Sequence, residues 1–230
     1  MKSIAIITAR GGSKRIPKKN IKEFCGKPII AYSIEAALNS GAFDTVMVST
    51  DSEEIARIAK EYGAEVPFLR SEKTANDFAT SADVINEVLE RYREMGKEFD
   101  SFVCLYPTAP FVTGERLKEA TELLDSNDVD GVITIVQFSF PPQRSFVLRD
   151  GMVTYLYPEC AMKRSQDLEP QFHDCGQFYV CRVDSYMKYH TLVMPKTMPV
   201  VVPEEQVQDI DTFSDWHLAE IKYKVLNNLE

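Results

Sequence analysis

The sequence contains few cysteines and histidines and has no long run of apolar residues. Its five cysteines, at positions 25, 104, 160, 175 and 181, are an odd number without CxxC spacing, which argues against a zinc site and a disulfide scaffold. Because no apolar stretch is long enough to span a bilayer and no signal peptide is recognisable, we expect a cytoplasmic protein without a membrane segment.

Positive charge is also scarce, since 26 lysines and arginines stand against 35 acidic residues and give a net charge of −9. A general nucleic-acid-binding surface is therefore not expected. The cations are unevenly placed, because residues 1–27 contain eight of them and a single glutamate. A basic island on an acidic protein suits a small anionic ligand. With 44% hydrophobic residues, the chain can form one domain over residues 1–230.

The basic island begins with an apolar run, Ile4–Ile7, which is typical of a strand buried on both faces. A glycine-containing loop, Arg10–Asn20, follows and combines backbone N–H groups with positive charge, as phosphate-binding loops do. Its sequence matches neither GxxxxGK[ST] nor GxGxxG, so an ATP-hydrolysing P-loop and a dinucleotide site are not indicated. We predict that the loop binds a polyphosphate; the alternative is a solvated basic loop.

The rest of the chain alternates apolar strand patterns with amphipathic helix patterns. This alternation predicts an α/β fold with a mostly parallel sheet covered by helices on both faces. Capping patterns at Thr80-x-x-Asp83 and Thr212-x-x-Asp215 mark two helix starts. Asp51 is also predicted to cap a helix, with a site group at a strand end as the alternative. Further strands are predicted at 45–48, 66–69, 102–106, 131–136, 177–181 and 198–202.

The alternation stops at Phe138, and residues 138–172 predict an inserted hairpin and arm with a turn at Arg149-Asp150-Gly151. The segments 164–170 and 173–179 are dense in hydrogen-bond donors and acceptors. That composition suits recognition of a polyhydroxylated ligand. The alternative is a surface arm or a subunit contact.

Asp209 and Asp211 precede the last predicted helix. On an extended backbone, a spacing of two places both carboxylates on one face. Such hard oxygen ligands suit Mg²⁺ (or Mn²⁺), whose remaining sites go to water and phosphate. The alternative is that Asp211 only caps the helix and that Asp209 is exposed.

Five segments form a set that runs in order over nearly the whole chain: IITARGGSKRIPKKNI, GKPII, VSTD at 48–51, PTAP at 107–110 and DIDT at 209–212. Together they resemble the sugar-acid cytidylyltransferases, the family of CMP-sialate and related synthetases. RSQDLEP (164–170) and HDCGQFY (173–179) resemble its pseudaminic acid branch. The resemblance implies a Rossmann-like nucleotidyltransferase fold with an inserted dimerisation element, and hence a homodimer.

The resemblance further implies a Mg²⁺-dependent reaction in which CTP and a nine-carbon 2-keto sugar acid, here pseudaminic acid, give a CMP-sugar and pyrophosphate. Synthetases for CMP-sialate, legionaminate or 3-deoxy-octulosonate are alternatives. Tyr106 stands where sialate enzymes commonly have Gln, which argues against N-acetylneuraminate, and Arg15 replaces a common Gly. An Asp-x-Asp glycosyltransferase and a non-catalytic nucleotide-binding module are the alternatives from other classes.

Roles for individual residues also follow from the resemblance. The expected catalytic residues are Arg10, Lys14, Lys19 and Asp211. The expected nucleotide-binding residues are Ala9, Arg10, Gly12, Ser13, Lys14, Lys19, Asn20, Arg70, Ala79 and Ser81. The expected sugar-binding residues are Tyr106, Arg164, Gln166, Asp167, His173, Gln177 and Tyr179. The expected metal ligands are Asp209 and Asp211.

Overall fold

A six-stranded sheet forms the centre of the computed structural model, which describes residues 1–229. Its strands are β1 (Ser3–Thr8), β4 (Thr45–Ser49), β5 (Ser101–Leu105), β6 (Gly131–Gln137), β9 (Phe172–Arg182) and β10 (Thr197–Val201). Their spatial order is β10-β6-β9-β5-β1-β4. Neighbouring strands are parallel except at β9, which is antiparallel to both β5 and β6. The predicted mostly parallel sheet is therefore confirmed.

Helices cover both faces of the sheet. Along β1, Ala5 and Ile7 pack into one apolar cluster while Ile4 and Ile6 pack into another, so the strand is buried on both sides as predicted. None of the helices within residues 1–229 is long and apolar enough to cross a membrane. The helices are α1 (Ile29–Ser40), α2 (Glu53–Glu61), α3 (Glu72–Ala75), α4 (Ser81–Glu94), α5 (Gly114–Ser126), α6 (Val183–Tyr189) and α7 (Phe213–Leu226).

The helix starts agree with the predicted capping patterns in two cases and differ in one. Capping boxes begin α4 at Thr80 and α7 at Thr212. The prediction that Asp51 caps α2 is wrong, because the Ser52 hydroxyl accepts the Ile55 N–H instead. The Asp51 carboxylate accepts a hydrogen bond from the Gly11 amide at 2.7 Å, and it therefore belongs to the loop after β1.

The strand predicted at 66–69 is absent, and only an isolated bridge joins Met47 to Glu65 there. Pro67 has no N–H to donate to a ladder, which explains why pairing stops before it. Two short strands, β2 (Glu23–Phe24) and β3 (Lys27–Pro28), form a separate antiparallel pair before α1.

The chain between β6 and β9 contains the predicted hairpin. Its strands are β7 (Phe146–Arg149) and β8 (Met152–Tyr155), which form their own two-stranded sheet. The turn consists of Asp150 and Gly151, both at positive φ, as the Asp-Gly pattern predicts.

Candidate active site

The candidate site lies at the carboxyl ends of β1, β4 and β5, where open α/β sheets bind ligands. The loop Arg10–Asn20 is fastened there at two points. The Gly11 amide donates to Asp51, and the buried Asn20 amide donates to the Arg10 carbonyl at 2.8 Å. Asn20 therefore supports the shape of the loop in addition to lining the site.

Most of the predicted nucleotide-binding residues line a cavity of about 260 Å³. Ala9, Gly12 and Lys14 do not line it: the Ala9 side chain is buried in the core, Gly12 is exposed, and Lys14 pairs with Asp77. Thr8, Thr80, Val84, Pro107 and Thr108 complete the wall, in addition to the predicted nucleotide-binding and sugar-binding residues. The predicted residues that line the cavity are Arg10, Ser13, Lys19, Asn20, Arg70, Ala79, Ser81 and Tyr106.

Arg70 is a fixed cation in this cavity. Its Nε donates to the Ser49 hydroxyl and its Nη2 to the Ser49 carbonyl, both at 2.9 Å. Burial lowers the pKa of Arg70 to about 10, opposed by the charges of Asp51 and Glu87. The guanidinium remains charged at neutral pH, and it is held in one orientation by the end of β4.

An acidic side chain that the sequence did not single out, Asp77, lies between two of the predicted triphosphate ligands. One carboxylate oxygen is 2.5 Å from Arg10 Nη1, and the other accepts a hydrogen bond from Lys14. The hydrogen bonds from Lys14 and Arg10 hold the pKa of Asp77 below its usual range. An anion therefore occupies the position between these cations that the sequence assigned to phosphate.

The loop also contacts the segment that carries the predicted metal ligands. Lys19 Nζ donates to the Ile210 carbonyl at 2.6 Å and lies 3.5 Å from Asp211. Arg15 forms an ion pair with Asp211 at 2.8 Å. These contacts place Asp211 beside the basic loop. Asp211 is not the cap of α7, because Thr212 is.

A second cavity of about 510 Å³ lies against the first residues of β9. Asp209 and His173 line it together with Glu204, Gln208 and Lys222. Within residues 1–229 no group of three or more His, Cys, Asp or Glu side chains is arranged to hold a metal ion. Any metal at Asp209 and Asp211 would therefore complete its coordination with water or substrate oxygens.

Two tyrosines connect the two cavities. Tyr106 lines the smaller cavity, and its ring packs edge-on against Tyr179 with centroids 6.0 Å apart. The Tyr179 hydroxyl donates to Asp174, which lines the larger cavity. Burial raises the pKa of Tyr106 and that of Tyr179, so both phenols stay protonated.

The other predicted sugar-binding residues are dispersed. Gln177 is buried in β9, where its amide nitrogen donates to the Gln206 carbonyl at 2.7 Å. Gln166 lines a small pocket within the arm, while Arg164 and Asp167 form an exposed ion pair at 2.7 Å. Arg164, Gln166 and Asp167 line neither of the two cavities.

Comparison with known proteins gives three consistent matches. The family described as Cytidylyltransferase matches residues 4–193. The pseudaminic acid cytidylyltransferase of Campylobacter jejuni is 42% identical over 226 residues, covering 98% of this chain and 97% of that protein. The CMP-N,N'-diacetyllegionaminic acid synthase of Legionella pneumophila is 35% identical over 231 residues, covering 96% and 95%.

Among solved structures, that of a CMP:2-keto-3-deoxy-manno-octonic acid synthetase complexed with CTP superposes with a TM-score of 0.70 and covers 100% of both chains. At 18% identity this likeness concerns the fold alone. It confirms the predicted Rossmann-like nucleotidyltransferase architecture.

Proposed function

We propose, since this chain belongs to the cytidylyltransferase family, that it is an enzyme that transfers CMP from CTP to pseudaminic acid and releases pyrophosphate. One observation supports this most directly: the basic loop, Arg70 and the start of α4 enclose a single cavity beside Tyr106. The relative named for pseudaminic acid shares more residues with this chain than the one named for legionaminic acid.

In the proposed reaction, the anomeric hydroxyl of the sugar acid attacks the α-phosphorus of CTP in line, and pyrophosphate leaves. Phosphoryl transfer of this kind depends on alignment and charge neutralisation, so it needs no protein nucleophile. Arg10, Lys14 and Lys19 offset the charge of the β- and γ-phosphates. To reach Arg10 and Lys14, the triphosphate displaces Asp77, whose carboxylate contacts both.

The base of CTP is proposed to bind at Arg70, Ala79 and Ser81. Arg70 suits this position because Ser49 orients its guanidinium without consuming every donor on it. Ser81 begins α4, a helix of 14 residues whose N-terminal end carries partial positive charge. These donors match a neutral, polar base, and the N-terminal end of α4 also favours a phosphate of the same nucleotide.

Asp209 and Asp211 fit Mg²⁺ or Mn²⁺ by their donor chemistry, since both are carboxylates and Asp209 is exposed to the larger cavity. The metal, when bound, supplies positive charge that polarises the α-phosphate. Asp211 would exchange part of its contact with Arg15 and Lys19 for the metal. The two freed cations would then face the phosphates.

The sugar acid is proposed to enter the larger cavity and meet CTP at the tyrosine pair. The volume of this cavity, about 510 Å³, accommodates a nine-carbon sugar, and His173 and Asp174 offer polar groups along its wall. Tyr179 contacts Asp174, and its ring packs against Tyr106 of the smaller cavity. The arm residues Arg164, Gln166 and Asp167 would act only if a second subunit brought them to the site.

We propose that the arm, residues 138–172, forms the contact of a homodimer. Its hairpin exposes Leu148, Met152 and Val153 at 74%, 71% and 66%, which is unusual for apolar side chains on two paired strands. A second copy of the chain presents the same surface, so two hairpins bury these residues symmetrically.

A pyrophosphate-release assay tests the activity. The protein is incubated with CTP, Mg²⁺ and one of four acids: pseudaminic, legionaminic, N-acetylneuraminic or 3-deoxy-octulosonic acid. We expect release with pseudaminic acid at a kcat/KM well above that for the others. CTP binding without release for any acid would instead identify a nucleotide-binding module, and consumption of a nucleotide-sugar without pyrophosphate would identify a glycosyltransferase.

A further inference from the structure

Asp174 and Tyr179 meet because β9 is irregular between them. Residues five apart on a regular strand point to opposite faces of a sheet. Ile133 of β6 pairs with Tyr179 of β9, and Ile135 pairs with Asp174. A step of two residues along β6 therefore matches a step of five along β9, so the ladder contains a bulge. The bulge returns the Asp174 side chain to the face of Tyr179, and the two form a hydrogen bond.

The bulge itself depends on Asp174 and Gly176. Gly176 has a φ of 62°, a backbone conformation that favours glycine. The amide of Gly176 donates to the Asp174 Oδ1 at 2.7 Å, which is the Asx-turn contact of an aspartate with the backbone two residues on. Asp174 therefore uses one oxygen to shape the strand and the other to accept the Tyr179 hydroxyl.

The hydrogen bond of Tyr179 has a defined direction. An ionised carboxylate only accepts, so the single Tyr179 proton is directed to Asp174. The Tyr179 ring in turn packs edge-on against the Tyr106 ring, with centroids 6.0 Å apart. A chain of contacts thus runs from Tyr106 in the smaller cavity through Tyr179 to Asp174 in the larger cavity.

We infer that Asp174 is a positioning residue: it fixes the hydroxyl of Tyr179, and through the Tyr179 ring the position of Tyr106, between the two cavities where the sugar acid and CTP meet. This inference rests on the proposed transfer of CMP to a sugar acid. It predicts that Asp174 affects the sugar acid much more than CTP, because CTP has independent contacts at Arg10 and Arg70.

Steady-state kinetics with CTP and pseudaminic acid test the inference. We expect Asp174→Ala to raise the KM for the sugar acid about tenfold, as the loss of a charge-assisted hydrogen bond does, and to leave the Kd for CTP within about twofold. Asp174→Asn keeps the shape and one acceptor, and it should recover part of the loss. Asp128→Asn, which removes an exposed carboxylate paired with Lys196, is the matched control. Equal losses for CTP and sugar would overturn the inference.

A double-mutant cycle separates action through Tyr179 from direct contact with the sugar. In the background of Tyr179→Phe, Asp174→Asn should add little, because it keeps an acceptor for the Gly176 amide and the hydroxyl that Asp174 positions has been removed. An undiminished effect of Asp174→Asn in that background would show that Asp174 acts alone, and the positioning role would be wrong.

A third measurement does not depend on activity. In protein labelled with 3-fluorotyrosine, the Tyr106 and Tyr179 signals are assigned from their phenylalanine variants. Asp174→Asn should shift both signals in the fluorine spectrum, because the Tyr106 ring packs on that of Tyr179, and leave the other tyrosines unmoved; an unmoved Tyr106 signal would overturn the coupling of Tyr106 to Asp174. Should no acid support pyrophosphate release by the unmodified protein, the proposed function fails, while this spectrum still decides whether Asp174 orders the two tyrosines.

Discussion

The basic loop Arg10–Asn20 and the arm at residues 138–172 are both exposed, but they differ in the kind of side chain that they expose and in its partners. In the loop, Arg10 and Lys14 contact Asp77, and Lys19 contacts the Ile210 carbonyl. In the arm, the hairpin leaves large apolar side chains in solvent. A negatively charged ligand can therefore replace Asp77 as the partner of the loop cations, whereas the exposed apolar side chains of the hairpin can be buried only by another surface.

Replacing a loop cation should produce the largest effect on activity and almost none on stability. We expect Arg10→Ala to lower kcat/KM for CTP about a hundredfold, as loss of one charge-stabilising donor does. Its side chain is 40% exposed, so unfolding temperature should change little. Pyrophosphate release and thermal melting are the measurements. Arg57→Ala, which removes an exposed arginine paired with Glu61, is the control; a comparable loss there would make the effect one of general charge.

Removing a predicted metal ligand comes next in magnitude. Asp209 lines the larger cavity with its carboxylate exposed, so Asp209→Asn should fold normally and raise the Mg²⁺ concentration for half-maximal rate at least about tenfold. Titration of the rate with Mg²⁺ and Mn²⁺ measures this. Asp125→Asn, an exposed aspartate on α5, provides the comparison. An unchanged metal requirement would remove Asp209 from the metal site.

The outcome for these regions shows which parts of the molecule a sequence pattern can predict. Local patterns were sufficient for β1, for the caps of α4 and α7, and for the hairpin turn at Asp150-Gly151, because adjacent residues determine each of them. The antiparallel direction of β9 has no such signal. It depends on β5 and β6, which lie far from β9 in the sequence.

Contacts between distant segments explain why the roles of some site residues could not be predicted from the sequence. Asp77 lies 67 residues from Arg10, and its neighbours carry no pattern that marks it as a partner of the loop. Asp51 was assigned to a helix start because Asp51-x-x-Glu54 is a local capping pattern, but a distant amide, that of Gly11, competes for its carboxylate. Asp174 does carry a local signal, because the Asp-x-Gly spacing is typical of an Asx turn.

A substitution in the arm should change the assembly of the protein and have little direct effect on CTP binding. Leu148→Asp places a charge among the exposed apolar residues of the hairpin and should weaken the homodimer about tenfold. Sedimentation velocity over a range of protein concentrations measures the dissociation. Val225→Asp, at a residue 72% exposed on α7, is the matched control and should leave the assembly intact. A monomeric unmodified protein would contradict the proposed homodimer.

The smallest effect concerns the partner of the loop cations. If Asp77 competes with the triphosphate for Arg10 and Lys14, Asp77→Asn should lower the KM for CTP only about threefold, since exposed ion pairs are weak. Glu54→Gln is the matched control, because it frees Lys18 of the same loop from an exposed ion pair at 2.7 Å and changes net charge equally. An equal fall in KM for both variants would assign the effect to net charge. A rise in KM for Asp77→Asn alone would mean that Asp77 orders the loop for CTP and does not compete with it.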